Sequence, residues 1–153
     1  MVLAHPHFRK VLKLTLPGGQ EATITYDTLP ANEANATLMK AAPGDLLIPG
    51  HNPRIAFAAE VKAGNVTIPA GEYLIGAVKN GDNDWTMALY PTPLGRGQKP
   101  DPAKMIKLES VFVKLQDKAE HMLIDVSPGI QKLQGKAMLT IHFGSLFLGG
   151  ALS

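Results

Sequence analysis

The stretch Ile68-Pro-Ala-Gly-Glu-Tyr-Leu-Ile-Gly-Ala-Val78 leads into Asn80-Gly-Asp-Asn-Asp84 and then into Trp85-Thr-Met-Ala-Leu-Tyr90. From Tyr73 to Val78 both alternating faces are apolar, so this segment is stable only as a strand covered on both sides. The polar run after it is a tight turn, and Trp85 to Tyr90 is the returning strand. Together these residues form the core hairpin of an all-β domain.

Period-two alternation carries the same message elsewhere. Leu12, Leu14 and Leu16 share one face of a strand over Lys10–Leu16; Pro17-Gly-Gly-Gln20 supplies a hairpin turn, and Ala22, Ile24 and Tyr26 alternate with Thr23 and Thr25 on the return. Further strands are predicted at Asp45–Ile48, Arg54–Val61, Lys107–Gln116, His121–Val126 and Lys136–Phe143, with a short terminal strand near Leu146. Pro30 to Ala42 is the one stretch with helix signals, Glu33 early, Lys40 late and a stop at Pro43-Gly44. Pro91 to Pro102 is too rich in proline and glycine to join a ladder and is expected as a loop. Nine or ten short strands at hairpin spacing predict a single antiparallel β-sandwich, jelly-roll-like arrangements included, with one short helix. Residues 1–9 are expected as a flexible N-terminal segment, and 10–153 as one domain.

Composition bounds the function classes. A chain of 153 residues buries roughly 70% of the surface its unfolded form exposes, so it needs no covalent staples. The absence of cysteine removes disulfides, thiolate metal sites and a thiol nucleophile. A formal charge of +2, spread along the chain with little aromatic interleaving, gives no footprint for nucleic acid. The most apolar run, Phe143 to Leu152, is broken by glycines and a serine and is too short to span a bilayer, so the chain is not read as transmembrane.

Four places in the chain resemble one bacterial family, domain of unknown function 2911. These are the threonine-rich strand Thr23-Ile-Thr-Tyr26 with Pro30; Val66-Thr-Ile68 running into Pro69-Ala-Gly-Glu-Tyr73; Trp85 at the start of a strand; and Leu139-Thr-Ile141 with Phe143-Gly144. They cover the chain from about residue 10 onward, and each is a folding motif rather than a catalytic one. The resemblance implies an exported β-sandwich of no established activity. Between Ala31 and Pro53 the chain departs from the family: its glycine-arginine and tryptophan-arginine-x-glycine elements are missing or reduced to Gly50-His-Asn-Pro-Arg54.

Chemistry concentrates near the amino terminus. Val2-Leu3-Ala4 has the small-residue pattern that precedes signal-peptidase cleavage, which predicts a periplasmic or extracellular protein; a native cytoplasmic start is the competing reading. Cleavage after Ala4 would make His5 the first residue. Its amine and imidazole, with the imidazole of His7, then suit Cu(II) in a tetragonal nitrogen site. Pro6 has no amide proton to lose, so the alternative site built from deprotonated backbone amides is excluded. The plainer reading is two solvated histidines on a flexible terminus. Val2, Leu3 and Phe8 could also add a strand to the sheet edge of a second copy, giving a homo-oligomer.

His121 and His142 form a second metal candidate. Alternation turns Met122, Ile124 and Val126, and Leu139, Ile141 and Phe143, toward the core, leaving both histidines on the other face with Asp125 and Thr140. One register of an antiparallel pair sets the two imidazoles opposite each other, with Asp125 or Glu120 available to orient a ring; other registers separate them. His51 is a loop residue with no partner named by its neighbours, and Asn80 to Asp84 lacks the glycine and distant glutamate of a calcium loop. Gly-x-Ser-x-Gly, a phosphate loop and His-Glu-x-x-His are all missing from the sequence, and Ser110, Ser127, Ser145 and Ser153 have no base within sequence reach. The reading that follows is an exported, non-enzymatic domain that binds a ligand or protein partner or scaffolds an envelope structure. Its binding surface is expected on Ala31–Pro53 or Pro91–Pro102. The alternatives are a copper-binding periplasmic protein using His5 and His7, and a hydrolase on the sandwich scaffold.

Overall fold

The computed structural model describes residues 9–28, 42–48, 53–81, 84–92 and 99–153, with the backbone alone described at 115–120. Eleven strands make up most of it: β1 Arg9–Thr15, β2 Glu21–Asp27, β3 Leu46–Leu47, β4 Arg54–Phe57, β5 Val61–Ala63, β6 Val66–Ile68, β7 Gly71–Gly81, β8 Asp84–Pro91, β9 Ile106–Lys107, β10 Ser110–Pro128 and β11 Ala137–Ala151. The described helical residues are two single 3₁₀ turns, Pro102–Lys104 and Gln131–Leu133. The fold is an all-β antiparallel sandwich. The helix expected over Pro30–Ala42 falls almost wholly at residues outside those described.

One layer is a seven-stranded sheet in the order β1-β2-β4-β7-β8-β9, with β3 also pairing β7. β3 and β4 share one edge of β7: Leu47 lies opposite Ala77 near one end and Ile55 opposite Tyr73 near the other. β8 pairs the remaining edge, from Tyr73–Pro91 to Gly81–Asp84. β7 is therefore central, as its doubly apolar sequence requires: Tyr73, Ile75 and Ala77 are buried on one face, Leu74 and Val78 on the other. β5 and β6 form a separate small hairpin, so the strand expected over Arg54–Val61 breaks after Phe57.

The second layer is the long hairpin of β10 and β11. Four strands were expected from its sequence, yet the chain forms two, because the breaks in alternation are absorbed as bulges rather than turns. Leu139, Ile141 and Phe143 face the main core; beyond Gly144, whose φ of 57° is the left-handed conformation open to glycine, Leu148 and Leu152 face it. The parity of the inward positions thus changes at Gly144. The register between the strands also shifts, between Lys114 and Ala119 and again between Ala119 and Leu123. Gly150 then meets β8 so closely that a Cβ would lie 2.8 Å from Met87 Sδ.

The Pro69-to-Tyr73 motif has a physical role. Gly71 takes a φ of 145°, which side chains rarely adopt, and lets the chain turn into β7. Tyr73 then donates from its hydroxyl to the Pro69 carbonyl at 2.7 Å, while its ring packs 6.0 Å from that of Phe57. Burial raises the Tyr73 phenol above its ordinary value of 10.0. The folded state therefore favours the neutral phenol. Its contribution is complete below about pH 10 and is lost as pH rises through the raised folded-state value. Tyr73→Phe is expected to cost about 1 kcal/mol at neutral pH by leaving the Pro69 carbonyl unpaired, and to flatten part of the alkaline loss of stability. Urea unfolding of both chains at pH 7 and pH 10.5 checks this; an unchanged alkaline slope contradicts it.

Candidate functional site

Between the two layers lies an apolar slot of about 40 Å³, lined by Leu47, Ala77 and Trp85 from the main sheet and by Phe112, Ile141, Phe143, Leu146 and Leu148 from the hairpin. No polar surface lies inside it, and it is partly open rather than an enclosed cavity. Each wall follows from the strand pattern. Ala77 is small and shares a face of β7 with Ile75, so it forms a recess where a larger residue would have filled the space. Trp85, one strand over and opposite Lys79, closes the end near the β7–β8 turn. On the hairpin the phase change at Gly144 brings Phe143 and Leu146 to the same side, and Leu148 stands opposite Phe112.

Lys79 marks the rim. It follows Ala77 on the same face of β7, and its ammonium lies over the Trp85 ring, 5.9 Å from the centroid. Trp85 thus serves both as slot wall and as the platform under a cation. On the hairpin side Lys114 follows Phe112 on one face of β10 and sits opposite slot-lining Leu146, with its side chain exposed. Asp45, at the start of the β3 segment beside Lys79, turns its carboxylate to accept from the Ala42 amide at 3.1 Å.

The sequence-predicted metal residues lie elsewhere. His5, His7 and His51 are outside the described residues. The ladder sets Leu123, not His121, opposite His142, and His121 falls within the irregular stretch between Ala119 and Leu123; the side chain of Glu120 is not among those described. The face that carries the histidines is itself partly covered. Val111, Leu133, Met138 and Ala151 form a second buried cluster there, with Val113 and Phe147 packed against it. Thr140, expected to face solvent, is only 5% exposed and donates to the Asp125 carbonyl at 3.2 Å. His142 packs edge-on to Phe147 at 6.1 Å between ring centres, and its Nε2 is buried with no hydrogen-bond partner among the described residues. Among the described residues no group of three or more metal-ligating side chains occurs.

The serines act structurally where they are engaged. Ser110 Oγ accepts from the Met87 amide and donates to the Leu108 carbonyl, both at 2.8 Å, and Ser153 Oγ accepts from the Ala137 amide. At the end of the Pro91–Pro102 loop, the Asp101 amide donates to the Tyr90 hydroxyl at 2.8 Å. The Glu109 carboxyl is held below its usual range by a 2.8 Å bond to Lys136, an exposed pair that ties the start of β10 to the hairpin loop. Of the two segments expected to bind, Ala31–Pro53 contributes Leu47 to the slot. The other lining residues read from sequence as ordinary core, because an apolar recess has no polar signature. The one available signal was the run Leu146-Phe-Leu148 after Gly144, which is apolar without alternation. Compared with protein-family models, curated proteins and solved structures, the chain matches none. Among the described residues no helix is long and apolar enough to cross a membrane.

A buried nitrogen without a hydrogen bond costs stability, and replacing it with an apolar group of similar shape removes that cost. His142→Phe is therefore expected to leave stability unchanged or raise it by about 1 kcal/mol. Thermal unfolding of the two chains decides the point, and a loss larger than that gain would mean the imidazole has a bonded role.

Proposed function

We propose that this protein is a non-enzymatic binding domain that takes a small, straight-chain apolar group into the slot between its seven-stranded sheet and the β10–β11 hairpin. The observation that carries the proposal is the wholly apolar lining of a partly open recess. Such a surface gains by exchanging water for hydrocarbon. No titratable side chain lines the slot, which supports binding over reaction. Size sets the shape of the ligand. A water needs about 10–15 Å³, and a cavity of about 150 Å³ holds benzene. A recess of about 40 Å³ is too narrow for a ring and suits the end of an aliphatic chain. The exported setting, supported by Val2-Leu3-Ala4, and the kinship with the 2911 family, supported by the Pro69-to-Tyr73 turn, belong to the same proposal.

Trp85 is the only tryptophan in the chain, so its fluorescence reports on the slot directly. A series of linear alcohols is expected to gain about fourfold in affinity per methylene, equivalent to about 0.8 kcal/mol, until the recess is full. Cyclohexanol and benzyl alcohol should bind more weakly than hexanol. Ala77→Leu, or Leu146→Phe from the opposite wall, should abolish the response without loss of cooperative unfolding. A flat fluorescence signal confirmed by calorimetry across the series would refute the proposal.

A further inference from the structure

We propose that Met87 is the inner stop of the slot and limits the ligand's buried part to a short alkyl group of about three or four carbons. The inference rests on the slot reading above and adds a length to it. A water needs about 10–15 Å³ and a methylene is close to a water in size, so about 40 Å³ holds about three or four such groups. Both walls of the slot lead on to the same residue. On the main sheet, Met87 stands directly opposite slot-lining Ala77 in the β7–β8 ladder, two residues beyond slot-lining Trp85. The Ala77 and Met87 side chains therefore share the face that looks at the hairpin, about 5 Å apart at Cβ. On the hairpin, Gly150 follows slot-lining Leu148 by two residues and lies against Met87. A Cβ at Gly150 would be 2.8 Å from Met87 Sδ, 2.9 Å from Met87 Cβ and 3.0 Å from Leu108 Cδ1.

Where Leu148 projects toward the main sheet, side chains from both layers share the space between them. At Gly150 the hairpin wall has no side chain, so the Met87 thioether fills the gap, with Leu108 beside it. Met87 is fully buried there. Its backbone is held from the β9–β10 side: the amide donates to Ser110 Oγ at 2.8 Å, and the carbonyl accepts from the Leu108 amide at 2.9 Å. The stop is therefore one unbranched side chain on an anchored backbone, of the kind that fills irregular gaps in a core. Shortening it to alanine removes Cγ, Sδ and Cε. The surroundings relax only in part, which leaves a gap about three methylenes long next to Ala77.

The test follows the linear alcohols from ethanol to octanol by Trp85 fluorescence and calorimetry. In the unaltered chain, affinity is expected to rise about fourfold per methylene up to about butanol and then to level off. Met87→Ala should carry the rise on to about heptanol, which should then bind about sixtyfold more tightly than butanol, fourfold for each added methylene. Adding Gly150→Ala to that variant returns a methyl to the gap and should end the rise about one carbon sooner. Met87→Leu keeps the volume and should leave the limit where it is. A measurement on the unaltered chain needs no variant to fold: the terminal methyl of bound butanol should show nuclear Overhauser contact with the Met87 ε-methyl. Three results overturn the stop while leaving the slot reading intact. They are a limit that does not move in Met87→Ala, a rise that runs past hexanol in the unaltered chain, and a bound butanol methyl without contact to Met87. Failure of every alcohol to bind the unaltered chain overturns both.

Discussion

The structure depends on one constraint: a long two-stranded hairpin must keep apolar side chains against the seven-stranded sheet on both sides of Gly144. A strand of fixed alternation would do this with a uniform spacing between layers. β11 does it with a change of phase at Gly144, and β10 with two register shifts across the ladder from it. At one end Gly150 has no side chain and β11 packs directly on Met87. Around the phase change, Ile141, Phe143, Leu146 and Leu148 come to one side of the hairpin and face Leu47, Ala77 and Trp85. The slot beside Ala77 and Trp85 lies there, between the layers. A protein interior normally excludes such space, because unfilled volume forfeits dispersion contacts on every lining atom. Keeping it costs stability, and that cost is consistent with a site that a ligand completes.

The irregularity also explains why the outer face of the hairpin is not simply a polar surface. The loop after β10 folds back through the Gln131–Leu133 turn and buries Leu133 against Val111, Met138 and Ala151. On the same face Thr140 and the Nε2 of His142 are buried. The second cluster also braces the hairpin from outside, so the strand that carries Ile141 and Phe143 into the slot is packed on both faces. The Glu109–Lys136 pair links the same loop to the start of β10, where exposure limits its effect on stability.

Much of this architecture was legible in the residues. The double-sided apolar pattern of Tyr73 to Val78 required a central strand, and Pro69-Ala-Gly-Glu-Tyr73 read as a turn with its tyrosine in the core; the bond from the Tyr73 hydroxyl to the Pro69 carbonyl came only with the structure. The inward positions of Met122, Ile124, Leu139, Ile141 and Phe143 followed from alternation and are buried. What alternation could not supply was the behaviour of its own interruptions. Residues 117–120 and Gly144 read as gaps between strands, whereas the backbone continues through both because bulges keep most ladder bonds while shifting register. The slot was missed for a related reason. Titratable and metal-ligating residues announce a site by type, but a recess formed by Ala77 is visible only once the facing wall is known. The opposition of His121 and His142 depended on a register that a shift of two residues replaces with Leu123.

The central claim is that an aliphatic chain enters between the sheets rather than lying on the surface. Isotope-filtered nuclear Overhauser measurements on octanoate mixed with labelled protein test it most directly. The account predicts contacts from the terminal methyl of the ligand to the Ala77 methyl, the Trp85 ring and the Leu146 and Leu148 methyls. Contacts confined to exposed apolar side chains such as Val11, Leu123 or Ile130 would place the ligand on the outside and contradict it.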